Sequence, residues 1–200
     1  MTANLRDFLG HFQRGGIEVC VSGTSADLLF GVRDAFRRFF HDGLERPVPV
    51  AVVPQESSSR ATGLASSDGD AMDLARKAAL ALEARLPGTY HFYVAGEPCV
   101  HVVESGGRPH WFVRYWSAVA GVAGVAFGSS GSIQFPDDLV DGISSEGLPA
   151  TIPGTRRGGG IIASLTGGLE GRREAISNAT LHALSTQFYG VLEGRPESSR

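Results

Sequence analysis

The sequence has few cysteines, a small net charge and no long apolar segment. Only 2 of its 200 residues are cysteine, and Lys77 is the single lysine among 18 basic residues. The formal net charge is −3, so the chain lacks the dense basic coverage that nucleic-acid backbones require. The most apolar stretch, residues 118–127, is glycine-rich and too short to span a bilayer. We therefore expect neither a nucleic-acid partner nor a membrane partner.

The N-terminal residues carry charges throughout and contain no secretory apolar block, which predicts a cytoplasmic protein. Cys20 and Cys99 lie in apolar runs and are interpreted as core residues of a reduced compartment. Two cysteines without clustered histidines give no zinc pattern. His91 and His101 fall in predicted strands, where the usual role is a core histidine with satisfied hydrogen bonds rather than a metal ligand.

What is present indicates a globular α/β protein. Hydrophobic residues make up 42% and charged residues 20% of the chain, which is enough for one sizeable core. Hydrophobic periodicity predicts the order β-α-β-α-β-β-β-(β)-α-α, hence a mixed sheet with helices on its faces. We divide the chain into an N-terminal helical extension (1–16), one domain (17–191) and a disordered tail (192–200).

The predicted elements follow from spacing and from turn residues. The helices are predicted over 4–13, 26–41, 70–86, 136–143 and 172–192, and the strands over 17–21, 47–53, 90–94, 99–103, 110–118 and 124–127. Gly106-Gly107 is predicted to be a hairpin turn. Residues 55–69 and 144–157 are predicted loops, and residues 158–166 favour neither a helix nor a strand.

The loop from Ser22 to Ser25 is the first candidate site, because it connects a predicted strand to a predicted helix. Free N–H groups at a helix N-terminus attract anions, and the hydroxyls of Ser22, Thr24 and Ser25 could add hydrogen bonds to a phosphate. The alternative is an ordinary helix cap made by Thr24 or Ser25. The known nucleotide fingerprints, a Walker lysine motif and a GxGxxG after a strand, are both missing.

Glu56 and Glu97 form the second candidate, since each directly follows a predicted strand. Ligand sites of α/β proteins lie at such strand ends, and two carboxylates there could hold Mg²⁺ against phosphate oxygens. The alternative interpretation is two solvated loop acids.

Arginines that flank Gly158-Gly159-Gly160 are the third candidate. Arg156 and Arg157 precede the glycines, and Arg172 follows them. The planar guanidinium recognises phosphate through two parallel hydrogen bonds. The alternative is solvated surface arginine.

Several segments, taken in order, resemble one family: the phosphatases of non-canonical purine nucleoside triphosphates (inosine/xanthosine triphosphatases). The segments are Val19–Phe36, Val52–Ser57, Ala75–Ala79, Phe92–Glu97, Phe127–Pro136, and Gly160–Leu169 with Arg172 and Ala183-Leu184-Ser185. The resemblance covers about residues 17–190 and rests on the ordered set rather than on any single motif.

This resemblance implies an inosine-triphosphatase-like α/β fold, a mixed sheet with flanking helices in a single elongated domain, forming a homodimer. It also implies hydrolysis of a purine nucleoside triphosphate, ITP or XTP, with Mg²⁺ or Mn²⁺, to cleanse the nucleotide pool. By position, Gly23, Thr24 and Ser25 would lie at the triphosphate.

The resemblance gives the acids and the arginines separate roles. Glu56 and Glu97 would hold the metal, and one of them could orient the attacking water. Arg172 would reach phosphate or base, and Arg157 or Arg172 would neutralise charge.

A second interpretation rests on the differences between this sequence and the family that it resembles. The family's loop asparagine corresponds to Ser25 here, its lysine corresponds to Leu28, and Asp27 adds a negative charge beside them. The family's charged pair before the Gly-Ala-Ile-Gly block corresponds to Gly158-Gly159. The alternative function is therefore a catalytically silent nucleotide-binding or protein-interaction module on the same fold.

Overall fold

A mixed six-stranded sheet is the centre of the computed structural model, which describes residues 12, 15–41, 48–56, 64–121, 123–140 and 160–189. The strands are β1 (Ile17–Ser22), β2 (Val50–Gln55), β3 (Phe92–Ser105), β4 (Arg108–Gly121), β5 (Gly124–Ser129) and β6 (Ile133–Gln134). Their spatial order is β2-β1-β3-β4-β5, and β6 pairs with β4. β1 is parallel to both of its neighbours, whereas β3, β4 and β5 are antiparallel.

Helices flank this sheet. They are α1 (Ala26–His41), α2 (Asp68–Arg85), α3 (Asp137–Val140), α4 (Gly160–Leu165) and α5 (Arg172–Gln187). The predicted class, a mixed α/β sheet with flanking helices in one domain, is confirmed.

The two faces of the sheet have separate cores. Helices α1 and α5 cover one face, where Phe36 of α1 and Ile176 of α5 share a buried cluster with Val19 and Phe92 of the sheet. Helix α2 covers the other face with small side chains such as Ala79, packed against β-strand residues such as Ala95. The alternation of side chains along each strand produces this division.

Strand β3 is longer than predicted, because Pro98 does not interrupt it. Pro98 pairs with Tyr115 on β4, and the backbone of Tyr115 turns its N–H and C=O toward Ser130 instead. No ladder hydrogen bond is lost there, since a proline at a non-hydrogen-bonded position needs no N–H. The two strands predicted over 90–94 and 99–103 are therefore one. Pro54 likewise lies inside β2, an edge strand.

The remaining differences concern ends of elements. Helix α2 begins at Asp68, where Ser67 caps it by accepting a hydrogen bond from the N–H of Asp70 at 3.1 Å. Residues 160–165 are helical, and α5 ends earlier than predicted, at Gln187. The hairpin turn is confirmed, with φ of +60° at Gly106 and +75° at Gly107. The extension before residue 12, the loop 144–157 and the tail 192–200 lie outside the described residues.

Candidate functional site

The first candidate site lies where β1 and β2 end side by side. The loop Ser22–Ser25 leads out of β1, and Glu56 follows β2 directly. Gly23 joins the two ends, because its N–H donates to the carbonyl of Gln55 at 2.8 Å. Residues that follow neighbouring parallel strands meet at one edge of the sheet. The structure thus brings two of the predicted features together.

Within this loop each residue has a distinct role. The hydroxyl of Ser25 accepts a hydrogen bond from the N–H of Leu28 at 3.4 Å, so Ser25 is the cap of α1. Gly23 has φ of +135°, and a side chain there would contact Leu28 at 2.9 Å. Thr24 is exposed and Ser22 is half-buried. The capping interpretation holds for Ser25, while Thr24 remains accessible to a ligand.

Glu97 reaches the same edge from within β3 rather than from a loop after it, which corrects the predicted position. The ladder between β1 and β3 ends at the pair Val21–Val94, and Glu97 lies beyond that pair. Its side chain is half-buried. Burial raises the pKa of the Glu97 carboxyl, and the positive charge of Arg172 offsets part of this effect. A carboxyl with a raised pKa is suited to proton transfer.

Arg172 and Tyr115 interact electrostatically with Glu97 and are therefore grouped with it. Arg172 is the first residue of α5, and Tyr115 is a β4 residue that is only 1% exposed. Burial raises the pKa of Tyr115 to about 12, even though the nearby guanidinium of Arg172 acts in the opposite direction. Gly96 makes room for the phenol, since a side chain at that position would lie 2.9 Å from the Tyr115 oxygen. We call the loop Ser22–Ser25, Glu56, Glu97, Arg172 and Tyr115 the edge site.

Some predicted features do not join the edge site. Arg157 lies outside the described residues. Leu28, at the position of the family's lysine, is buried in the core at 6% exposure, so no cation projects from the first turn of α1 at that point. Glu56 is exposed. Among the described residues, neither Glu56 nor Glu97 belongs to a cluster of three or more potential metal ligands.

The second candidate site is a polar cluster on the α2 face. Asp68, Cys99 and His101 each offer a ligand atom, and these atoms all lie within 4.8 Å of one another. Arg114 and Trp116, on the adjacent strand β4, bind the Asp68 carboxylate. We call these five residues the Asp68 cluster. Asp68, Cys99 and His101 are the group of three potential metal ligands found among the described residues.

Hydrogen bonds hold the Asp68 carboxylate in place. Arg114 Nε donates to Oδ1 at 2.8 Å, its terminal nitrogen donates to Oδ2, and Trp116 Nε1 donates to Oδ1 at 2.7 Å. Burial alone would raise the pKa of Asp68, but these hydrogen bonds and the charges of Arg114 and His101 lower it below its usual value. The carboxylate therefore stays ionised.

The other two potential ligands also have shifted pKa values. Burial and the neighbouring Asp68 raise the pKa of the Cys99 thiol to about 12. Burial and the charge of Arg114 lower the pKa of His101, while Asp68 acts in the opposite direction. The thiol of Cys99 lies 3.6 Å from Asp68 Oδ1, within hydrogen-bond distance for sulfur.

Sequence reasoning missed the Asp68 cluster and Tyr115. Cys99 and His101 are separated by one residue, so on a strand they point to the same face. That spacing was the available signal. The partner Asp68 is 31 positions from Cys99 in sequence, and only the packing of α2 on the sheet brings it close.

A surface groove of about 490 Å³ lies apart from both sites, between α1 and α5. Its lining residues are Asp34, Arg37, Arg38, Arg173, Glu174, Ser177 and Asn178. Its acids already have partners: Asp34 accepts from Arg173 Nε at 2.7 Å, and Glu174 accepts from the N–H of Gly171 at 2.9 Å. None of the predicted site residues lines this groove.

Comparisons with known proteins bear on the fold alone. No protein-family model matches the chain, and no curated protein is significantly similar to it. Among solved structures, the chain is similar to protein VC0702 from Vibrio cholerae, with 19% identity and a TM-score of 0.64. The match covers 90% of this chain and 99% of that one. Among the described residues, no helix is long and apolar enough to cross a membrane.

Proposed function

We propose that the edge site binds a purine nucleoside triphosphate, ITP or XTP, and hydrolyses it. The observation that carries this proposal is the electrostatic interaction between Glu97 and Arg172, which are 75 positions apart in sequence, with Glu97 lying beyond the end of β1. A half-buried acid that is influenced by a guanidinium suits hydrolysis of a phosphoanhydride, which needs both a proton acceptor and a phosphate-binding cation.

Mg²⁺ or Mn²⁺ would be held by Glu56 and Glu97. These cations prefer carboxylate oxygens, and the two acids flank the loop that follows β1. The half-buried Glu97, whose pKa burial raises, fits this role because a bound cation stabilises its charged form. When bound, the metal would neutralise charge on the phosphate oxygens.

The chain's own residues would act as follows. Arg172 binds phosphate oxygens through its planar fork, and Tyr115 beside it limits where the guanidinium can move. Glu97 accepts the proton of the attacking water as the new P–O bond forms. The bridging P–O bond breaks, and the leaving group departs with the bridging oxygen and its electron pair. The N–H groups of the first turn of α1 bind the phosphate chain, as at other helix N-termini. Arg172 would take over the part of the lysine that Leu28 replaces.

Phosphate release from ITP, XTP, dITP, GTP and ATP, with Mg²⁺ or Mn²⁺, tests the proposal. We expect release selective for ITP or XTP, and a decrease in kcat/KM of about 10²–10⁴ in Glu97→Gln. Glu104→Gln is the matched control, because Glu104 is an exposed acid of the same strand. Equal release by the protein and Glu97→Gln would contradict the assignment of Glu97.

The arginine is tested separately. Arg172→Ala is expected to lower kcat/KM by about 10²–10³, the usual cost of removing a donor that stabilises transition-state charge. Arg173→Ala is the control, since Arg173 is adjacent in sequence but pairs with Asp34. A similar loss in both variants would indicate a defect of α5 rather than of the edge site.

A second candidate function is nucleotide binding without hydrolysis, and the buried Leu28 favours it. Thermal melting with ITP and Mg²⁺ discriminates the two. A ligand at 100 times its dissociation constant stabilises by about 2.7 kcal/mol, which raises Tm by several degrees. A shift that Arg172→Ala abolishes, without phosphate release, would support binding alone. No shift and no release would overturn both and leave a protein-interaction role.

The homodimer implied by the resemblance is a further part of the proposal. Light scattering coupled to size exclusion would report a mass near twice 21.1 kDa if the protein is a dimer. A mass of one chain across the concentration range would contradict it.

A further inference from the structure

The Asp68 cluster has a use that the proposed function leaves unexplained. Cys99 and His101 lie on one face of β3, and Asp68 begins the helix packed on that face. Carboxylate, thiol and imidazole groups lie within 4.8 Å of one another, and these are the protein ligand types found at zinc.

The two histidines predicted in strands differ in a way that points to a ligand. His91 is half-buried and directly precedes β3, and its Nδ1 accepts a hydrogen bond from the N–H of Glu18 at 3.0 Å. His101 Nδ1 is buried and has no hydrogen-bond partner among the described residues. Its ring is stacked on Phe112, at 5.6 Å between centroids and 20° between planes, so the nitrogen is held in a defined direction. A buried nitrogen without a partner is costly, and a metal ion would satisfy it.

The surroundings of Asp68 also match those of a metal ligand. Ligating carboxylates are usually oriented by hydrogen bonds from a surrounding shell of side chains. Arg114 Nε and Trp116 Nε1 provide this at 2.8 and 2.7 Å, both to Oδ1. The side chain of Asp68 is 33% exposed, which leaves a route from solvent.

We propose that Asp68, Cys99 and His101 bind one zinc ion, with water as the fourth ligand. A soft thiolate with an imidazole selects zinc over Mg²⁺, which prefers oxygen ligands alone. Tetrahedral ligands at zinc are about 3.5 Å apart, given bond lengths of about 2.0–2.3 Å. Cys99 Sγ and Asp68 Oδ1, 3.6 Å apart, already have this spacing, and no pair in the group would need to contract by more than about 1.3 Å from the 4.8 Å limit. Cys99 loses its thiol proton to the solvent as the Zn–S bond forms.

The position of Arg114 is consistent with a site that is stable without metal. Its guanidinium compensates the charge of Asp68 in the metal-free protein. With zinc bound, the carboxylate and the thiolate contribute two negative charges against the metal and Arg114. The site then has a net charge of +1, which is smaller than the +2 of the ion. Zinc can therefore bind while Arg114 stays in place.

Titration with Co²⁺ tests the site spectroscopically. Co²⁺ occupies zinc sites, and a cysteine ligand adds a sulfur-to-cobalt charge-transfer band in the near ultraviolet. We expect this band to saturate at one equivalent, to disappear on addition of Zn²⁺ and to be absent in Cys99→Ser. Cys20→Ser is the matched control, because Cys20 is equally buried on the α2 face but belongs to a different buried cluster from Cys99. A missing band in the unmodified protein, or a band that persists in Cys99→Ser, would overturn the proposal.

His101→Phe is a second test of the site, which is needed if Cys99→Ser does not fold. Phenylalanine retains a ring to stack on Phe112 but removes the nitrogen ligand. We expect an unchanged circular dichroism spectrum and at least about tenfold weaker Co²⁺ binding. Unchanged affinity would exclude His101 as a ligand. Glu97→Gln should leave the cobalt spectrum unaltered, so failure of this site and failure of the edge site are distinguishable.

Discussion

The two faces of the sheet are built from side chains of very different size. The face under α1 and α5 is filled by large residues, with rings such as Phe36 and Phe92 at 5.2 Å between centroids. The α2 face is filled mainly by alanines, including Ala79 and Ala118. Because protein interiors are close-packed, small side chains between the layers let the α2 backbone lie near the sheet. The N-terminal Asp68 of α2 can then bind side chains of β4.

Each face also holds one arginine beside a buried or half-buried partner. Arg172 lies next to Tyr115 on the large-residue face, and Arg114 binds Asp68 on the small-residue face. The comparison teaches that cores of different side-chain size can each place a polar group against the sheet. Helix α5 reaches β4 through Thr180, whose hydroxyl lies 3.1 Å from that of Ser117, whereas α2 reaches β4 through the carboxylate of Asp68.

The largest expected effect comes from truncating a large buried side chain on the face under α1 and α5. Phe36→Ala should lower the free energy of unfolding by about 3–5 kcal/mol, since it opens a cavity among large rings. Phe30→Ala is the control, because Phe30 is 40% exposed and its ring lies against the guanidinium groups of Arg33 and Arg173. It should cost less than about 1 kcal/mol. Urea denaturation measures both, and equal losses would contradict the burial of Phe36 among the large rings.

The next effect tests where a helix approaches the large-residue face closely. A side chain at Gly128 would collide with the α5 backbone at Ala179 and Ala183. Gly128→Ala should therefore cost about 1–3 kcal/mol or more in unfolding free energy, because backbone must move. Gly131→Ala, which has open space and no positive φ, should stay within about 0.5 kcal/mol. Equal melting temperatures for the two variants would mean that α5 packs elsewhere.

A smaller effect concerns the small-residue face and depends on pH. Asp68→Asn should lower the unfolding free energy by about 1 kcal/mol at pH 7, as it removes charge-assisted hydrogen bonds at a partly exposed site. The pKa of Asp68 is lowered by folding, so its contribution is complete above the unfolded pKa. That contribution is lost as pH falls through the folded pKa. The difference between protein and variant should therefore shrink in acid, and a constant difference would contradict the charge argument.

The smallest effect has the opposite sign. Folding raises the pKa of Glu97, so its charged form opposes folding, and stability is lost as pH rises through the folded pKa. Glu97→Gln should therefore melt slightly above the unmodified protein at pH 7 and at the same temperature in acid, while losing activity. Glu104→Gln should not change Tm. A lower Tm for Glu97→Gln at pH 7 would show that the carboxylate supports the fold.

The sequence predicted the parts of the fold that depend on local periodicity. Helix α1 has the predicted bounds, 26–41, because its apolar spacing is regular and Ser25 caps it. The continuity of β3 could not be predicted, since it depends on Tyr115 turning its hydrogen bonds toward Ser130. A non-local partner decided the outcome there.

The candidate site divides in the same way. Glu97 and Arg172 could be selected by residue type and position, and in the structure the positive charge of Arg172 acts on the Glu97 carboxyl. Tyr115 could not be selected, because nothing local distinguishes it from an ordinary strand aromatic. The Asp68 cluster needed the packing of α2 on the sheet, which no spacing in the sequence encodes.

The β3–β4 pair has a consequence for the rate at which the protein folds. It is the longest ladder of the sheet, running from Tyr93–Ala120 to Ser105–Arg108, yet only Gly106 and Gly107 close it. The parallel pairs of β1 instead join strands that are much farther apart in sequence, and closing these longer connections costs more chain entropy. We expect the hairpin to be formed in the folding transition state, with high φ-values for Val113→Ala and low ones for Val19→Ala, measured by stopped-flow refolding. The β3 and β4 residues of both candidate sites would then lie on a ribbon that forms before the parallel strands join it.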